Sequence, residues 1–169
     1  MLKIIVTGPE SSGKTTLCKE ISNQFNIPFT TEYAREYLKT KGVNYNQSDL
    51  LEIAKGQFIS EGGLNQQLSL QDTDLITIKI WSEYKYGNCD NWILDQIEKQ
   101  KSENRFYLLC RADITWEDDP LRENPDSRGE LFEIYKKELE HLGHNYLIVE
   151  GEKRMEKSLK KICQIKSES

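Results

Sequence analysis

Gly8-Pro9-Glu10-Ser11-Ser12-Gly13-Lys14-Thr15-Thr16 follows directly on the apolar run Leu2 to Val6, and no other stretch limits the fold so tightly. Gly8, Gly13, Lys14 and Thr15 fill every required position of the phosphate-loop pattern G-x-x-x-x-G-K-[ST]. Such a loop works between a strand that ends and a helix that begins. Successive backbone N–H groups and the positive helix end then converge on one polyanion. The spacing predicts a strand over 2–7 and a helix over 14–25 with Leu17, Ile21 and Phe25 on one face. Gly8, Glu10, Ser11, Ser12, Gly13, Lys14, Thr15 and Thr16 are therefore expected to bind ATP or GTP. Lys14 is assigned to the β- and γ-phosphates and the Thr15 hydroxyl to Mg²⁺. Arg111 and Arg154 are added to the nucleotide-binding set.

The rest of the chain alternates in the same way. Short strands are expected at 28–31, 68–71, 106–110 and 146–149. Helices are expected from about Ala34, along Leu50, Ala54 and Phe58, and along Leu75, Ile78 and Trp81. Others follow over 92–98, along Leu131, Tyr135, Leu139 and Leu142, and along Met155, Leu159, Ile162 and Cys163. Asn44 to Ser48 reads as a turn, Gly62 and Gly63 as a helix break, Ser127 to Glu130 as a capping box, and the last four residues as a frayed tail. Five strands alternating with helices argue for a parallel sheet covered on both faces. With 169 residues and no repeat or linker, a single domain over 1–169 is expected.

Composition narrows the partners. The net charge of −5 argues against a nucleic-acid surface, which needs a basic face. No stretch approaches the ~18 apolar residues of a membrane span and no signal-peptide pattern opens the chain, so a cytoplasmic location without a membrane partner is expected. Cys18, Cys89, Cys110 and Cys163 show no CxxC pairing and read as reduced, mostly buried thiols; His141 and His144 read as solvated.

Three polar clusters must name the chemistry. Asp72-Thr73-Asp74 falls at the end of the third strand, where one carboxylate can support Mg²⁺ and the other can grip a substrate hydroxyl or cap the next helix. The strand before it, Leu-Ser-Leu-Gln, is polar for a central strand. Glu32, Tyr33 and Arg35 lie in EYARE after the second strand, on the side that faces the ligand crevice of a doubly wound sheet. The charged, proline-containing stretch at about 111–128 carries Arg111, Arg122 and Arg128 and reads as a lid that brings arginines to a phosphoryl group. Its Trp116 either packs on a ring-shaped substrate or anchors the lid itself.

GPESSGKTTL, EYAREYL, DTDLITIKIW and TWEDDPLR with the downstream Arg128, in this order, resemble the ribosylnicotinamide kinase domain of the bacterial NadR family, a kinase-type P-loop NTPase. The resemblance implies a three-layer α/β/α fold with strand order 2-3-1-4-5 and a lid, and transfer of the ATP γ-phosphoryl group to the 5′-hydroxyl of nicotinamide riboside. It implies that Trp116 stacks on the nicotinamide ring, with Glu117, Asp118 and Asp119 near its positive charge. Members are often fused to an adenylyltransferase and a DNA-binding domain. This chain opens on its P-loop strand, and neither activity is expected of it.

The reading is thus a small-molecule kinase using ATP and Mg²⁺, with Lys14, Arg122 and Arg128 stabilising the transferring group and Thr15 and Asp72 holding the metal. Asp72 or Glu32 handles the hydroxyl proton; Glu32, Tyr33, Arg35, Asp74, Trp116 and Asp119 hold the acceptor. A kinase of another nucleoside or nucleotide is the first rival. A regulatory module that hydrolyses ATP slowly is the second.

Overall fold

Parallel strands need long crossovers, and each pair of consecutive strands here is separated by at least one helix. The computed structural model describes residues 1–62 and 67–168. Its strands are β1 (Leu2–Thr7), β2 (Phe29–Thr30), β3 (Leu68–Asp72), β4 (Arg105–Cys110) and β5 (Asn145–Val149). The helices are α1 (Lys14–Phe25), α2 (Tyr33–Lys41), α3 (Gln47–Glu61), α4 (Leu75–Tyr86), α5 (Asn91–Gln100), α6 (Arg128–His141) and α7 (Arg154–Glu168). The strands form one parallel sheet in the order β2-β3-β1-β4-β5, as expected for a P-loop kinase fold.

Strand alternation divides the core into two layers. Phe106, Leu108 and Cys110 of β4 pack with Leu17, Cys18 and Ile21 of α1 and Ile162 of α7. Tyr107 and Leu109 face the opposite layer of α2 to α6. The β1–β3 register sets Val6 beside Asp72, so the end of the phosphate-loop strand and the aspartate turn arrive at the same edge. Gly8 must be glycine there. Its φ is +132°, and a Cβ would lie 2.5 Å from the Cys110 carbonyl oxygen.

Several local expectations are corrected. Asn44 to Ser48 is not merely a turn, because Asn46 caps α3 reciprocally with Asp49. The Ser127–Glu130 box does not form; Ser127 makes no side-chain cap bond, and Glu130 accepts from the Tyr84 hydroxyl instead. The stripe of α3 runs along Leu50, Ile53, Ala54 and Gln57, which leaves Phe58 edge-on to Trp92 at 5.7 Å. The second strand shortens to Phe29–Thr30. The tail stays helical to Glu168, and Cys163 is exposed while Cys18 and Cys110 are buried. His144 is half-buried against Tyr107, at 4.9 Å between rings, and burial pushes its pKa down. Gly62 caps α3 as a break; Gly63 lies outside the described residues.

The polar third strand is buried along its whole length, including Ser69 and Gln71. Among the described residues no helix is long and apolar enough to cross a membrane.

Candidate active site

The phosphate loop leaves β1 and turns through three positive φ values, at Gly8, Ser11 (50°) and Gly13 (83°), before α1 begins. The turn aims backbone N–H groups and the α1 N-terminus at one point. Lys14 Nζ and Ser12 Oγ both donate to the Pro9 carbonyl at 2.8 Å, which holds the loop's shape from inside.

Beside it, the aspartate turn sends its two carboxylates in opposite directions. Thr73 between them has φ 66°, an uncommon conformation for a β-branched residue, and its N–H donates to the Val6 carbonyl at 2.9 Å. Asp72 faces the loop and accepts from Thr15 Oγ1 at 2.6 Å through Oδ2. Its other oxygen, Oδ1, is buried and has no hydrogen-bond partner among the described residues. A carboxylate oxygen left this way suits a hard, oxygen-seeking cation. Burial raises the Asp72 pKa, and Lys14 and Thr15 oppose that rise.

Asp74 points into the core. It accepts from the Ile76 N–H as the cap of α4, from Arg105 Nη1 at 3.1 Å and from the Tyr107 hydroxyl at 2.7 Å. It is fully buried and does not line the cavity in front of the loop. The expectation that Asp74 touches substrate is therefore replaced by the capping alternative, extended to a buried ion pair. Arg105 also pairs with Glu61 at 3.2 Å. Burial pushes the Glu61 carboxyl up to about 7 despite that partner.

A cavity of about 500 Å³ opens from the phosphate loop toward α2, α4 and α6. Glu32 and Arg35 line it from α2, and Lys14, Thr15, Glu10 and Arg122 line the phosphate end. Glu32 forms a loose ion pair with Arg35 Nε at 3.6 Å, and burial raises its pKa while the nearby Lys14 lowers it. Arg35 also reaches Asp119 at 3.4 Å, which ties α2 to the 111–128 segment. Asp119 accepts in addition from the Leu121 N–H at 2.9 Å, a bond that lowers its pKa.

That segment is docked on the phosphate loop by named bonds. Ser11 Oγ accepts from the Glu117 N–H at 3.0 Å and from Arg122 Nη1 at 3.4 Å. Arg128 Nη1 donates to the Ser11 and Ile114 carbonyls, both at 3.0 Å. Glu10, expected among the nucleotide ligands, accepts from the N–H groups of Glu123 and Asn124 at 3.1 and 3.0 Å. Arg154 Nη1 donates to the Ser12 carbonyl at 2.9 Å and its guanidinium pairs with Asp113. Arg154 thus braces the loop from behind.

Besides Asp72, Asp74 and Arg154, four expected site residues stand outside the cavity lining. Arg111 pairs with Glu150 and stacks over Phe132 at 4.3 Å. Tyr33 is pressed against Gly56 of α3, where a Cβ would lie 2.1 Å from its ring. Arg128 is spent on carbonyls as described. Trp116 lines an adjoining shallow hollow with Asp118, Pro120 and Pro125 that shares Asp119 and Arg122 with the cavity, its indole N–H on Asp118 at 2.9 Å and Arg122 and Arg128 5.9 and 5.5 Å from its ring. The aromatic side chains that do line the cavity are Trp81 and Tyr84 of α4 and Tyr135 of α6. The sequence showed Trp81 only as an apolar helix position; its spacing of four from Thr77 and three from Tyr84 was the available signal.

The chain is similar to the trifunctional NAD biosynthesis/regulator protein NadR of Escherichia coli (strain K12), 24% identical over 158 residues that make up 88% of this chain and 38% of that one. It is similarly related to the NadR of Salmonella typhimurium (strain LT2), 24% identical over 126 residues, covering 70% of this chain and 30% of the relative. The chain spans about a third of the length of these curated relatives. A crystal structure of NadR in complex with NR superposes with a TM-score of 0.73 at 22% identity, over 96% of this chain and 51% of that one. Deoxyadenosine kinase from M. mycoides gives 0.64 at 14% identity, over 97% of this chain and 100% of that one. Both share the fold. The AAA domain family model matches residues 3–157, so the chain, with the sheet order and phosphate loop of a kinase-type P-loop NTPase, belongs to the AAA domain family.

Proposed function

We propose that the chain transfers the γ-phosphoryl group of MgATP to the 5′-hydroxyl of a nucleoside, with nicotinamide riboside as the acceptor. The observation that carries this reading is the single cavity in which the phosphate loop and Glu32 face each other beside an aromatic wall. A hydrolase needs room for a water; this cavity has room for a nucleoside-sized second substrate. The similarity to NadR, and the NR in one NadR structure, favour nicotinamide riboside among nucleosides.

Thr15 and Asp72 fit a magnesium ion through the hydroxyl and the unpartnered Oδ1. Magnesium, when bound with ATP, neutralises phosphate charge and orients the transferring group. Lys14 supplies positive charge where it develops on the γ-phosphoryl oxygens, and Arg122 adds to it from the lid. The acceptor oxygen forms its bond to phosphorus as the bond to the ADP oxygen breaks, and Glu32 takes the hydroxyl proton. Glu32 suits that task better than Asp72, because Glu32 lines the cavity whereas Asp72 is held by Thr15 outside its lining; burial raises the pKa of both.

The test is ADP release with MgATP and a panel of nicotinamide riboside, nucleosides and mononucleotides. Acceptor-stimulated release with nicotinamide riboside supports the reading. Release independent of every acceptor sinks it and favours a regulatory ATPase.

A further inference from the structure

We infer that Trp81 is the platform on which the acceptor's ring lies, and that the lid sets its orientation through Glu123 and Tyr45. The inference rests on the proposed nucleoside acceptor and names the part of the chain that selects it.

Position comes first. Thr77 stands at the sheet end of α4, where its hydroxyl is 3.3 Å from that of Thr7 on β1. Trp81 lies one turn farther along the same helix face, ~6 Å away. With the transferring group at the phosphate loop, that offset is the span of a pentose. A ring attached to the sugar therefore arrives at Trp81. Trp81 and Thr77 both line the same cavity as Lys14 and Glu32, whereas Trp116 does not.

The indole is also held as a platform has to be. Its Nε1–H donates to the Tyr45 hydroxyl at 2.9 Å, and the Tyr45 ring meets it edge-on at 5.0 Å and 69°. The polar edge of Trp81 is thus satisfied on the side away from the cavity. With its N–H sequestered, an indole lining the cavity favours a planar ring over a sugar or a peptide.

Tyr45 is in turn saturated. Its hydroxyl donates to Glu123 at 2.5 Å and accepts from Trp81 and from Lys85 Nζ, the latter at 2.6 Å. Lys85 closes the loop with a 2.9 Å bond to Glu123 and sits 3.9 Å above the Tyr45 ring. The Glu123 backbone N–H donates to Glu10 in the phosphate loop. One chain of contacts therefore runs from phosphate loop to lid to ring wall. When the segment that carries Glu123 leaves Glu10, Tyr45 loses its acceptor, and the hydroxyl that anchors Trp81 is held by Lys85 alone. Acceptor binding and lid docking must then favour each other by the same factor.

The full chain is tested with nicotinamide riboside and an uncharged nucleoside, by calorimetric binding and by steady-state kinetics with MgATP. Trp81→Ala is expected to weaken acceptor binding about 10- to 100-fold, with the KM for ATP within about twofold. Trp81→Phe should restore most of the loss. If Trp81→Ala fails to fold, Trp81→Leu keeps the apolar bulk without the ring face and carries the same expectation. Tyr45→Phe and Glu123→Gln, as positioning changes, should raise the acceptor KM several-fold more than they lower kcat. They should also speed tryptic cleavage after Arg122 and Arg128, which a purely local packing role for Tyr45 would not do. Unchanged acceptor affinity in the Trp81 variants, beside acceptor turnover in wild type, overturns the platform and leaves the kinase reading standing. Wild-type binding that depends on Trp81 but yields no turnover overturns the kinase reading alone. Absence of nucleoside binding by wild type overturns both.

Discussion

The phosphate end and the acceptor end of the cavity are built on different physical terms. At the phosphate end the working groups are backbone N–H donors and side chains of one short loop, plus one aspartate brought by strand register and Arg122 reaching in from the 111–128 segment. At the acceptor end Glu32, Arg35, Trp81, Tyr84 and Tyr135 come from three helices, and a fourth segment covers them. The first end is mostly a local conformation. The second exists only once the layers have packed, so its chemistry depends on contacts such as Arg35–Asp119 and Tyr45–Glu123 that bridge 84 and 78 positions.

The largest effect expected lies at the local end. Lys14→Ala should lower turnover by about 10³-fold or more with circular dichroism unchanged, because Arg122, bonded to Ser11 and the Glu117 carbonyl, adds to the Lys14 charge on the transferring oxygens without replacing it. Near-normal acceptor-dependent turnover would break the contrast at once.

The aspartate turn offers a sharper cut, since its two carboxylates are assigned to different worlds. Asp74→Ala takes one of three carboxylates from the buried Arg105 guanidinium, leaves the buried Tyr107 hydroxyl without its acceptor, and is expected to cost about 1–3 kcal/mol in denaturant unfolding. Asp72→Asn removes a carboxylate whose ionisation burial already disfavours, so stability should hold while the Mg²⁺ requirement rises. Equal destabilisation by the two would mean that Thr73 does not divide them.

Glu32→Gln should lower kcat by about 10²-fold. In wild type, turnover should climb as pH rises through a value above the ordinary carboxylate range, because proton acceptance needs the ionised form and burial raises that pKa. The glutamine variant should lose this limb. For stability the sign is opposite at Glu61. Its native pKa of about 7 exceeds the unfolded value, so the folded state binds more protons between pH 4.5 and 7 and stability falls as pH rises through that window. Glu61→Gln should flatten this slope in pH-resolved melts.

The same contrast explains what could be read from residues alone. The phosphate loop, the parallel sheet and the Thr15–Asp72 pairing follow from short-range pattern and strand register, which a sequence displays. Burial of the polar strand at Ser69 and Gln71 does not, because it reflects the layers packed on both faces of the sheet. Glu10 sits inside the motif, yet its partners are the Glu123 and Asn124 amides, more than 110 positions away. Asp74 and Ser127 show the limit of capping patterns. Asp74 caps and also anchors Arg105, while Ser127 has the right neighbours and makes no cap bond.

The smallest effect separates the two tryptophans at the acceptor end. Trp116 sits in the outer hollow with Arg122 and Arg128 at cation–π range and its N–H turned to its own segment. Removing it takes away lid packing and no cavity wall. An exposed cation–π contact contributes about 0.5–1 kcal/mol, so Trp116→Ala should raise the acceptor KM by only about two- to fivefold. The increase should be equal for nicotinamide riboside and an uncharged nucleoside, because what is lost is docking of the segment and not attraction to a ring charge. Steady-state kinetics with both acceptors at saturating MgATP measure it. A loss confined to the cationic acceptor would return the ring contact to Trp116 and move the acceptor wall from α4 to the lid.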